Sequence, residues 1–385
     1  RSPLRLIDTQ CLIWPFIWRA SCGTSCKVKM HRQLMFFCYV SPCHTQLGRS
    51  AMKKENQQVL IDALPQGKLR AGDFRFEWAT IPPVGDDQVL VKTKAFAIAA
   101  GTRAGLQGSA SYAGAPIVGR VMNGSGVGEV IQSHCAQVPV GSWVKAATGW
   151  QTYSVHNASE TELIPSSHDP IAYLGVLGIT GLSAYFGLLD VGRPRDGETV
   201  MVSAAGGSVG HIAGQLAKKK GARVVGVCGN ESKGKILTSK LGFDAVVNYK
   251  DDDFREQLKD ATPDGVDVYF DNTGGMILGS ALFRMNIGGR IVCCGVVSQY
   301  DTDQPAPGPK GIPGLLINKR VNMQGFLIYD YVDRFQQGRA ELQKWLSSGD
   351  LKSLVDPVQG IDAAPDAFVD LLNGGNIGTR IVELK

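Results

Sequence analysis

Cysteines with metal-binding spacing are missing from this sequence. Five of the nine cysteines lie within the first 51 residues, where the closest approach to a pair is Cys22-x-x-x-Cys26. No Cys-x-x-Cys unit accompanies them, so the spacing does not predict a zinc cluster. The remaining four do not form such a unit either. They are Cys135, Cys228, Cys293 and Cys294.

An excess of positive charge is also missing once the first 51 residues are set aside. The whole chain has a formal net charge of +5, but residues 1–51 hold seven Lys or Arg and a single acid, Asp8. That segment therefore carries +6, and residues 52–385 carry about −1 by difference. A nucleic-acid-binding surface on residues 52–385 is not expected from this balance.

No apolar run has the form of a membrane span. Residues 170–189 are nearly free of charge and about long enough, but Gly175, Gly178, Gly181 and Gly187 interrupt them. Flanking cationic anchors are absent as well. The pattern predicts a buried helix with close backbone contacts, and no membrane partner.

The first 51 residues differ in composition from the rest. They are basic and almost free of acids, which is compatible with an organelle transit peptide. Met52 could be the natural first residue of the protein. In that case residues 1–51 would be untranslated sequence read as protein. We expect residues 1–51 to be disordered and outside the fold. The expected location is the cytoplasm, or the mitochondrion if the segment is a genuine transit peptide.

The remaining chain predicts an α/β fold with two kinds of sheet. Glycine-punctuated short strands up to about residue 168 indicate a small β-rich domain. Alternating strand and helix patterns after that indicate a doubly wound parallel sheet. Predicted strands are Thr199–Ser203, Arg223–Cys228, Ala245–Asn248, Val266–Asp271, 290–297, 322–327 and 380–384, and predicted helices are 211–220, 236–241, 253–261 and 331–347.

A dinucleotide-binding turn follows the first strand of the parallel sheet. The segment reads Ala205-x-Gly207-x-x-Gly210, which is the GxGxxG fingerprint with alanine in place of the first glycine. It follows a strand and opens a helix, which is the context that the fingerprint requires. We expect the turn and the helix N-terminus to bind a pyrophosphate. The predicted contact residues are Ala205, Gly207, Ser208, Val209 and Gly210.

The end of the second strand favours NADP over NAD. An NAD site usually has Asp or Glu at this strand tip, whereas this chain has Cys228 and Gly229. Lys233 follows shortly and could attract a 2′-phosphate. Lys235 is expected to be a solvated surface residue.

Five stretches together resemble the medium-chain dehydrogenase/reductase superfamily. They read LGVLGITGLSAYFGLLDVG, AAGGSVG, LGFDAVVNYK, DGVDVYFDNTGG and GGRIVCCGVVSQY. The chain is most similar to its zinc-free enone and alkenal reductases, such as prostaglandin reductase, leukotriene 12-hydroxydehydrogenase and curcumin reductase. The resemblance implies a GroES-like catalytic domain, an inserted Rossmann domain, NADPH and a homodimer. The implied division is 52–168 for the first part of the catalytic domain, 169–326 for the Rossmann domain and 327–385 for the return to the catalytic domain.

The resemblance also implies individual site residues. Tyr300 matches the tyrosine that relatives place beside the nicotinamide and the substrate carbonyl, so it is the predicted catalytic residue. Tyr249, Asn272 and Asn376 fall on family cofactor contacts. Where many relatives carry a substrate-facing tyrosine in Asp-Pro-Tyr-Met-Arg, this chain has Thr102, which implies a reshaped pocket.

Zinc is not expected in the active site. The metal-ligand region of the zinc alcohol dehydrogenases contains a Gly-His-Glu motif, whereas this chain reads PIVGRVMNGSGVGEV there. Reduction of a polarised C=C bond needs only a hydride donor, a hydrogen bond to the carbonyl and a proton. The predicted activity is therefore NADPH-dependent reduction of small α,β-unsaturated ketones or aldehydes. Quinone reduction and a non-catalytic, crystallin-like NADPH-binding protein are the alternatives.

Overall fold

The computed structural model describes residues 55–107, 116–305 and 307–385, and the prediction for residues 1–51 lies outside them. A hairpin is formed by β1 (Glu55–Ile61) and β2 (Phe74–Thr80). Strands from both ends of the chain build a seven-stranded sheet with the order β14-β15-β3-β4-β5-β7, in which β6 also pairs with β3. Its members are β3 (Gln88–Ile98), β4 (Gly126–Ser133), β5 (Trp143–Ala146), β6 (Tyr153–Asn157), β7 (Glu162–Leu163), β14 (Val355–Gln359) and β15 (Thr379–Glu383).

The second sheet is parallel and has six strands. Its order is β10-β9-β8-β11-β12-β13, so the chain runs outward from β8 in both directions. Ligands of such doubly wound sheets bind where the strand order reverses, which here is the carboxyl edge between β8 and β11. The members are β8 (Thr199–Ser203), β9 (Arg223–Cys228), β10 (Ala245–Asn248), β11 (Val266–Asp271), β12 (Met285–Cys293) and β13 (Asn322–Gly325).

Nine α-helices occur among the described residues. They are α1 (Gly101–Leu106), α2 (Ile179–Phe186), α3 (Gly210–Lys219), α4 (Glu231–Leu241), α5 (Phe254–Ala261), α6 (Gly275–Arg284), α7 (Ile312–Lys319), α8 (Phe335–Ser347) and α9 (Ala364–Leu372). No helix of the described part is long and apolar enough to cross a membrane. The predicted α/β class, with a β-rich sheet and a doubly wound parallel sheet, is confirmed.

Several predicted elements differ from the observed ones at one end: α4 begins at Glu231 rather than 236, α8 begins at Phe335 rather than 331, and β13 ends at Gly325 rather than 327. Two further elements differ more. Strand β12 starts earlier than the predicted 290–297 and ends at Cys293, because the chain then turns into a short 3-10 helix at Val297–Gln299. The predicted helix at 170–189 is divided into a 3-10 helix at Pro170–Leu174, helix α2 and a π-helical turn at Gly187–Gly192. Its glycines do make close contacts, since a Cβ on Gly181 would lie 1.8 Å from the Val176 oxygen.

The segment between β13 and β14 packs against the helix that precedes the parallel sheet. Helix α8 packs against α2, where a Cβ on Gly338 would lie 3.1 Å from Leu182 Cδ2. Arg339 Nε also donates to the Leu177 carbonyl at 2.9 Å. Strands β14 and β15 then join the sheet of β3, so the chain returns to its N-terminal part. The division at residues 168 and 326 stays a prediction.

Candidate active site

The turn after β8 is closed by its own backbone. Ala204 has a left-handed φ of 45°, and its carbonyl accepts the Gly207 N–H at 2.9 Å. A Cβ built on Gly210 would lie 2.3 Å from that carbonyl oxygen. Glycine at 210 therefore allows α3 to start directly against the turn, as the fingerprint requires.

Open space lies next to Gly207. Among the described residues other than its two chain neighbours, only Ala204 comes within 4 Å of a Cβ built on Gly207, through its carbonyl oxygen at 3.2 Å. Helix α3 begins immediately afterwards, and its N-cap residue, Val209, provides no side-chain hydrogen bond. Space for a phosphate and an uncapped helix N-terminus occur together here, so the turn fits a dinucleotide pyrophosphate.

Alanine in place of the first fingerprint glycine is accommodated by the neighbouring strand. Ala205 is fully buried, and its Cβ would lie 3.0 Å from a Cβ built on Gly226 of β9. Because Gly226 has no side chain, the extra methyl group of Ala205 fits without displacing the strand. The substitution leaves the turn intact.

The turn is also bonded to the C-terminal segment that contains Asn376. Ser208 Oγ donates to the Gly378 carbonyl at 3.2 Å, and Asn376 Nδ2 donates to the same oxygen at 2.8 Å. The Gly378 N–H in turn donates to the Gly206 carbonyl at 2.8 Å. Asn376 and the fingerprint turn, which are far apart in sequence, are thus brought together.

A buried histidine that the sequence did not single out strengthens this junction. His211, in the first turn of α3, is fully buried. Its Nδ1–H donates to the Gly207 carbonyl at 2.8 Å, and its Nε2 accepts the Leu354 N–H at 3.1 Å. Burial lowers the pKa of His211 to about 4, so the ring is neutral at physiological pH.

Lys233 lies beside the fingerprint turn. Its aliphatic chain covers Gly206, where a Cβ would be 3.2 Å from Lys233 Cδ. Its Nζ donates to the Gly374 carbonyl at 2.6 Å, and burial lowers its pKa. Lys235 instead pairs with Glu231 at 2.8 Å on the solvent-exposed side of α4, as expected for a surface lysine.

A second lysine, which the sequence analysis missed, lies at the same strand tip. A Cβ built on Gly229 would lie 2.7 Å from Tyr249 Cε1 and 3.0 Å from Lys250 Cε. The positive charge of Lys250 also contributes to lowering the pKa of Lys233. Lys233, Tyr249 and Lys250 therefore surround the end of β9, where a 2′-phosphate would need cations.

Asn272 lies at the reversal point of the parallel sheet. Its Nδ2 donates to the Ser203 carbonyl at 2.8 Å, and its backbone N–H donates to Ser203 Oγ at 2.9 Å. Asp271 supports this corner from within, because its buried Oδ1 accepts the Tyr269 hydroxyl at 2.7 Å and the Gly274 N–H at 2.8 Å. Asn272 is thereby fixed between the ends of β8 and β11.

Tyr300 follows the 3-10 helix after β12. Its hydroxyl oxygen accepts the Val296 N–H at 3.2 Å. No acceptor for its own proton is found in the described part of the chain. Burial raises the pKa of Tyr300, which keeps the hydroxyl protonated at neutral pH. The side chain is a half-buried hydrogen-bond donor near the carboxyl edge of the parallel sheet.

Comparison with known proteins identifies the family. Residues 57–164 match the family described as the N-terminal domain of oxidoreductase, and residues 208–344 match the zinc-binding dehydrogenase family. An Escherichia coli protein named NADPH-dependent curcumin reductase is 35% identical over 337 residues, covering 86% of this chain and 98% of that protein. The chain belongs to the medium-chain dehydrogenase/reductase superfamily. The predicted family is confirmed.

Two further members of the superfamily resemble this chain over nearly the same span. The 2-alkenal reductase (NADP(+)-dependent) of Nicotiana tabacum is 36% identical over 343 residues, which cover 86% of this chain and 98% of the relative. A crystal structure of CurA from Vibrio vulnificus in complex with NADPH is 36% identical, with a TM-score of 0.82. The match covers 86% of this chain and 99% of the CurA chain.

One of the two matching families is named for zinc binding, but the described residues contain no cluster of zinc ligands. Within residues 55–107, 116–305 and 307–385, no group of three or more His, Cys, Asp or Glu side chains could hold a metal ion. Burial raises the pKa of Cys293 to about 11 and that of Cys294 to about 12. Because the thiolate is the reactive form, neither cysteine is a candidate nucleophile in this medium-chain dehydrogenase/reductase.

Proposed function

We propose that this protein uses NADPH to reduce the C=C bond of small α,β-unsaturated ketones or aldehydes, without zinc. The observation that carries the proposal is the Tyr300 hydroxyl, which accepts a hydrogen bond from the Val296 N–H and keeps its own proton available. The curcumin reductase and the 2-alkenal reductase among its relatives support the substrate class.

The residues assigned to the cofactor form three groups. Gly207, Ser208 and the start of α3 would receive the pyrophosphate, with Ala205, Val209 and Gly210 shaping the turn. Lys233, Tyr249 and Lys250 would hold the 2′-phosphate of NADPH, and Asn272 and Asn376 would contact the nicotinamide side. When bound, NADPH supplies the hydride that adds to the substrate β-carbon.

The protein's main contribution to the chemical step is a hydrogen bond. Negative charge develops on the carbonyl oxygen as the C=C bond is reduced, and a donor that is already in place stabilises it most effectively. Tyr300 is such a donor, because its raised pKa keeps the phenol protonated. The α-carbon of the resulting enolate then takes a proton, which the same hydroxyl relays from solvent.

We also propose that the protein is a homodimer. Three large apolar side chains are exposed near the β12–β13 edge, namely Phe283 (68%), Ile287 (70%) and Ile317 (72%). Lys319 Nζ donates to the Phe283 and Met285 carbonyls at 2.7 Å, which holds α7 beside this edge. An exposed apolar surface next to an edge strand supports association of two copies. Light scattering of the purified chain tests the proposal.

The cellular location and the domain boundaries are separate proposals. We propose a cytoplasmic enzyme, with the mitochondrion as the alternative if residues 1–51 act as a transit peptide. We also propose the division 52–168, 169–326 and 327–385, since β14 and β15 join the N-terminal sheet. Imaging of the chain fused at its C-terminus to a fluorescent protein tests the location.

Absorbance loss of NADPH with a panel of acceptors tests the function. The panel contains short enals, aryl enones and quinones, with NADH as the parallel control. Consumption on enals or enones with a strong preference for NADPH is expected. Consumption on quinones alone would favour a quinone reductase. A raised melting temperature with NADPH but no turnover would favour a non-catalytic binding protein.

A further inference from the structure

A buried ion pair ties the loop that carries Tyr300 to the N-terminal part of the chain. Arg103 Nε, on α1, donates to Asp301 Oδ1 at 2.9 Å. The Arg103 side chain is fully buried, and the Asp301 side chain is only 16% exposed. Since 198 positions separate the two residues, the pair joins distant parts of the chain.

Further hydrogen bonds surround the pair. Asp301 Oδ1 also accepts the Leu69 N–H at 2.7 Å, and Arg103 Nη2 donates to the Gly67 carbonyl. Gln107 Nε2 donates to the Thr302 carbonyl at 3.2 Å. The Asp301 side chain and the backbone of the next residue, Thr302, are therefore held by residues of the N-terminal part.

One nitrogen of the buried guanidinium has no partner. Arg103 Nη1 is inaccessible to solvent and makes no hydrogen bond with any described residue. Burying a charged group with an unsatisfied donor costs free energy, so a buried arginine is a poor way to stabilise a fold alone. This cost in free energy is explained if the ion pair fixes the geometry of a side chain that takes part in the reaction.

We propose that Arg103 and Asp301 are positioning residues that fix the Tyr300 hydroxyl toward the substrate. Asp301 directly follows Tyr300, so holding the Asp301 carboxylate restrains the backbone from which the tyrosine side chain starts. At the other end of the side chain, the hydroxyl oxygen accepts the Val296 N–H. The tyrosine is thus held at its backbone by the N-terminal part and at its hydroxyl by the segment after β12.

The consequence for catalysis rests on the proposed function. A hydrogen bond to a developing oxyanion is effective only at the correct position, and a displacement of about 1 Å can cost about 100-fold in rate. Asp301→Asn keeps the size of the side chain but removes its charge. It should therefore lower kcat by about 10- to 100-fold through Tyr300, with little change in the KM for NADPH.

A measurement without turnover tests the positioning itself. The full chain is labelled with 3-fluorotyrosine, and the Tyr300 resonance is identified by its loss in Tyr300→Phe. Asp301→Asn is expected to shift or narrow this resonance as the side chain gains freedom. Glu198→Gln is the matched control, because Glu198 pairs with Arg290 at 3.0 Å and is similarly exposed at 17%. An unchanged Tyr300 resonance in Asp301→Asn would overturn the inference.

A double-mutant cycle tests the catalytic consequence. If Asp301 acts through Tyr300, Asp301→Asn should reduce kcat far less in a Tyr300→Phe background than in the wild type. Equal reductions in both backgrounds would refute the positioning role. The outcomes for the two proposals are distinguishable. A wild type inactive on every enal and enone refutes the proposed function, whereas an altered fluorine resonance would still support the positioning of Tyr300 by Asp301.

Discussion

The imidazole of His211 accepts a hydrogen bond from the Leu354 backbone N–H at 3.1 Å. The same ring donates to the Gly207 carbonyl, so one buried side chain links the fingerprint turn to the segment before β14. The bond from Leu354 requires an unprotonated Nε2, and the bond to Gly207 requires the ring proton to lie on Nδ1. The integrity of the turn therefore depends on pH.

The stability of the protein should fall in mild acid because of His211. Burial lowers the pKa of His211 from its usual 6.5 to about 4. Below pH 6.5 this histidine binds a proton in the unfolded chain, whereas the buried ring of the folded chain does not. The contribution of His211 to the free energy of unfolding is therefore fully present above pH 6.5. It should decrease by about 3 kcal/mol as the pH falls toward 4. Urea unfolding between pH 7.5 and 4.5 measures this loss.

A histidine substitution separates this contribution from other acid effects. His211→Gln should be less stable at pH 7.5 but should lose less stability between pH 6.5 and 4.5 than the wild type. His134→Gln, at an exposed histidine, is the control and should keep the wild-type pH dependence. A wild-type slope in His211→Gln would contradict the assignment.

Two fingerprint glycines should respond differently to alanine. Gly210→Ala places its Cβ 2.3 Å from the Ala204 oxygen, so it should destabilise the fold by about 1–3 kcal/mol. Gly207→Ala places its Cβ 3.2 Å from the same oxygen, a milder approach, so it should lower the melting temperature much less but weaken NADPH binding by about tenfold or more. Thermal unfolding and fluorescence titration with NADPH measure both effects. Equal losses of stability in the two variants would be inconsistent with the open space at Gly207.

The lysines near β9 should determine the preference for NADPH. Lys233→Ala and Lys250→Ala should each weaken NADPH binding by about 10- to 100-fold, as expected when a charged hydrogen bond is lost. Binding of NADH, which has no 2′-phosphate, should change little. Lys235→Ala is the control, since Lys235 pairs with Glu231 in solvent. A parallel loss of NADH and NADPH affinity would exclude a specific role in phosphate binding.

Removal of the Tyr300 hydroxyl should affect the chemical step. Tyr300→Phe is expected to lower kcat about 100-fold, the effect of removing one oxyanion donor, while NADPH binding stays the same. Because burial raises the pKa of Tyr300, wild-type kcat should not fall from its ionisation below about pH 10. Stopped-flow oxidation of NADPH with a short enal measures both. Unchanged turnover in Tyr300→Phe would remove this residue from the mechanism.

The sequence alone determined the bounds of four of the six strands of the parallel sheet. Strands Thr199–Ser203, Arg223–Cys228, Ala245–Asn248 and Val266–Asp271 lie at their predicted bounds. Each is a short run of mostly apolar residues, so the local pattern is sufficient to place it. The fingerprint turn is also local, because its glycines and the helix that they open are consecutive.

Only the tertiary structure decided which side chains work together. Arg103 bonds to Asp301, and Leu354 bonds to His211. These hydrogen bonds join residues that are far apart in sequence, so no local hydrophobic periodicity encodes them. Lys250 was missed because its proximity to Lys233 depends on the parallel pairing of β9 with β10. Sequence patterns specify burial and local geometry, which depend on neighbouring residues. Pairing of distant polar groups depends on the order in which the strands and helices pack, and so it exists only in the folded chain.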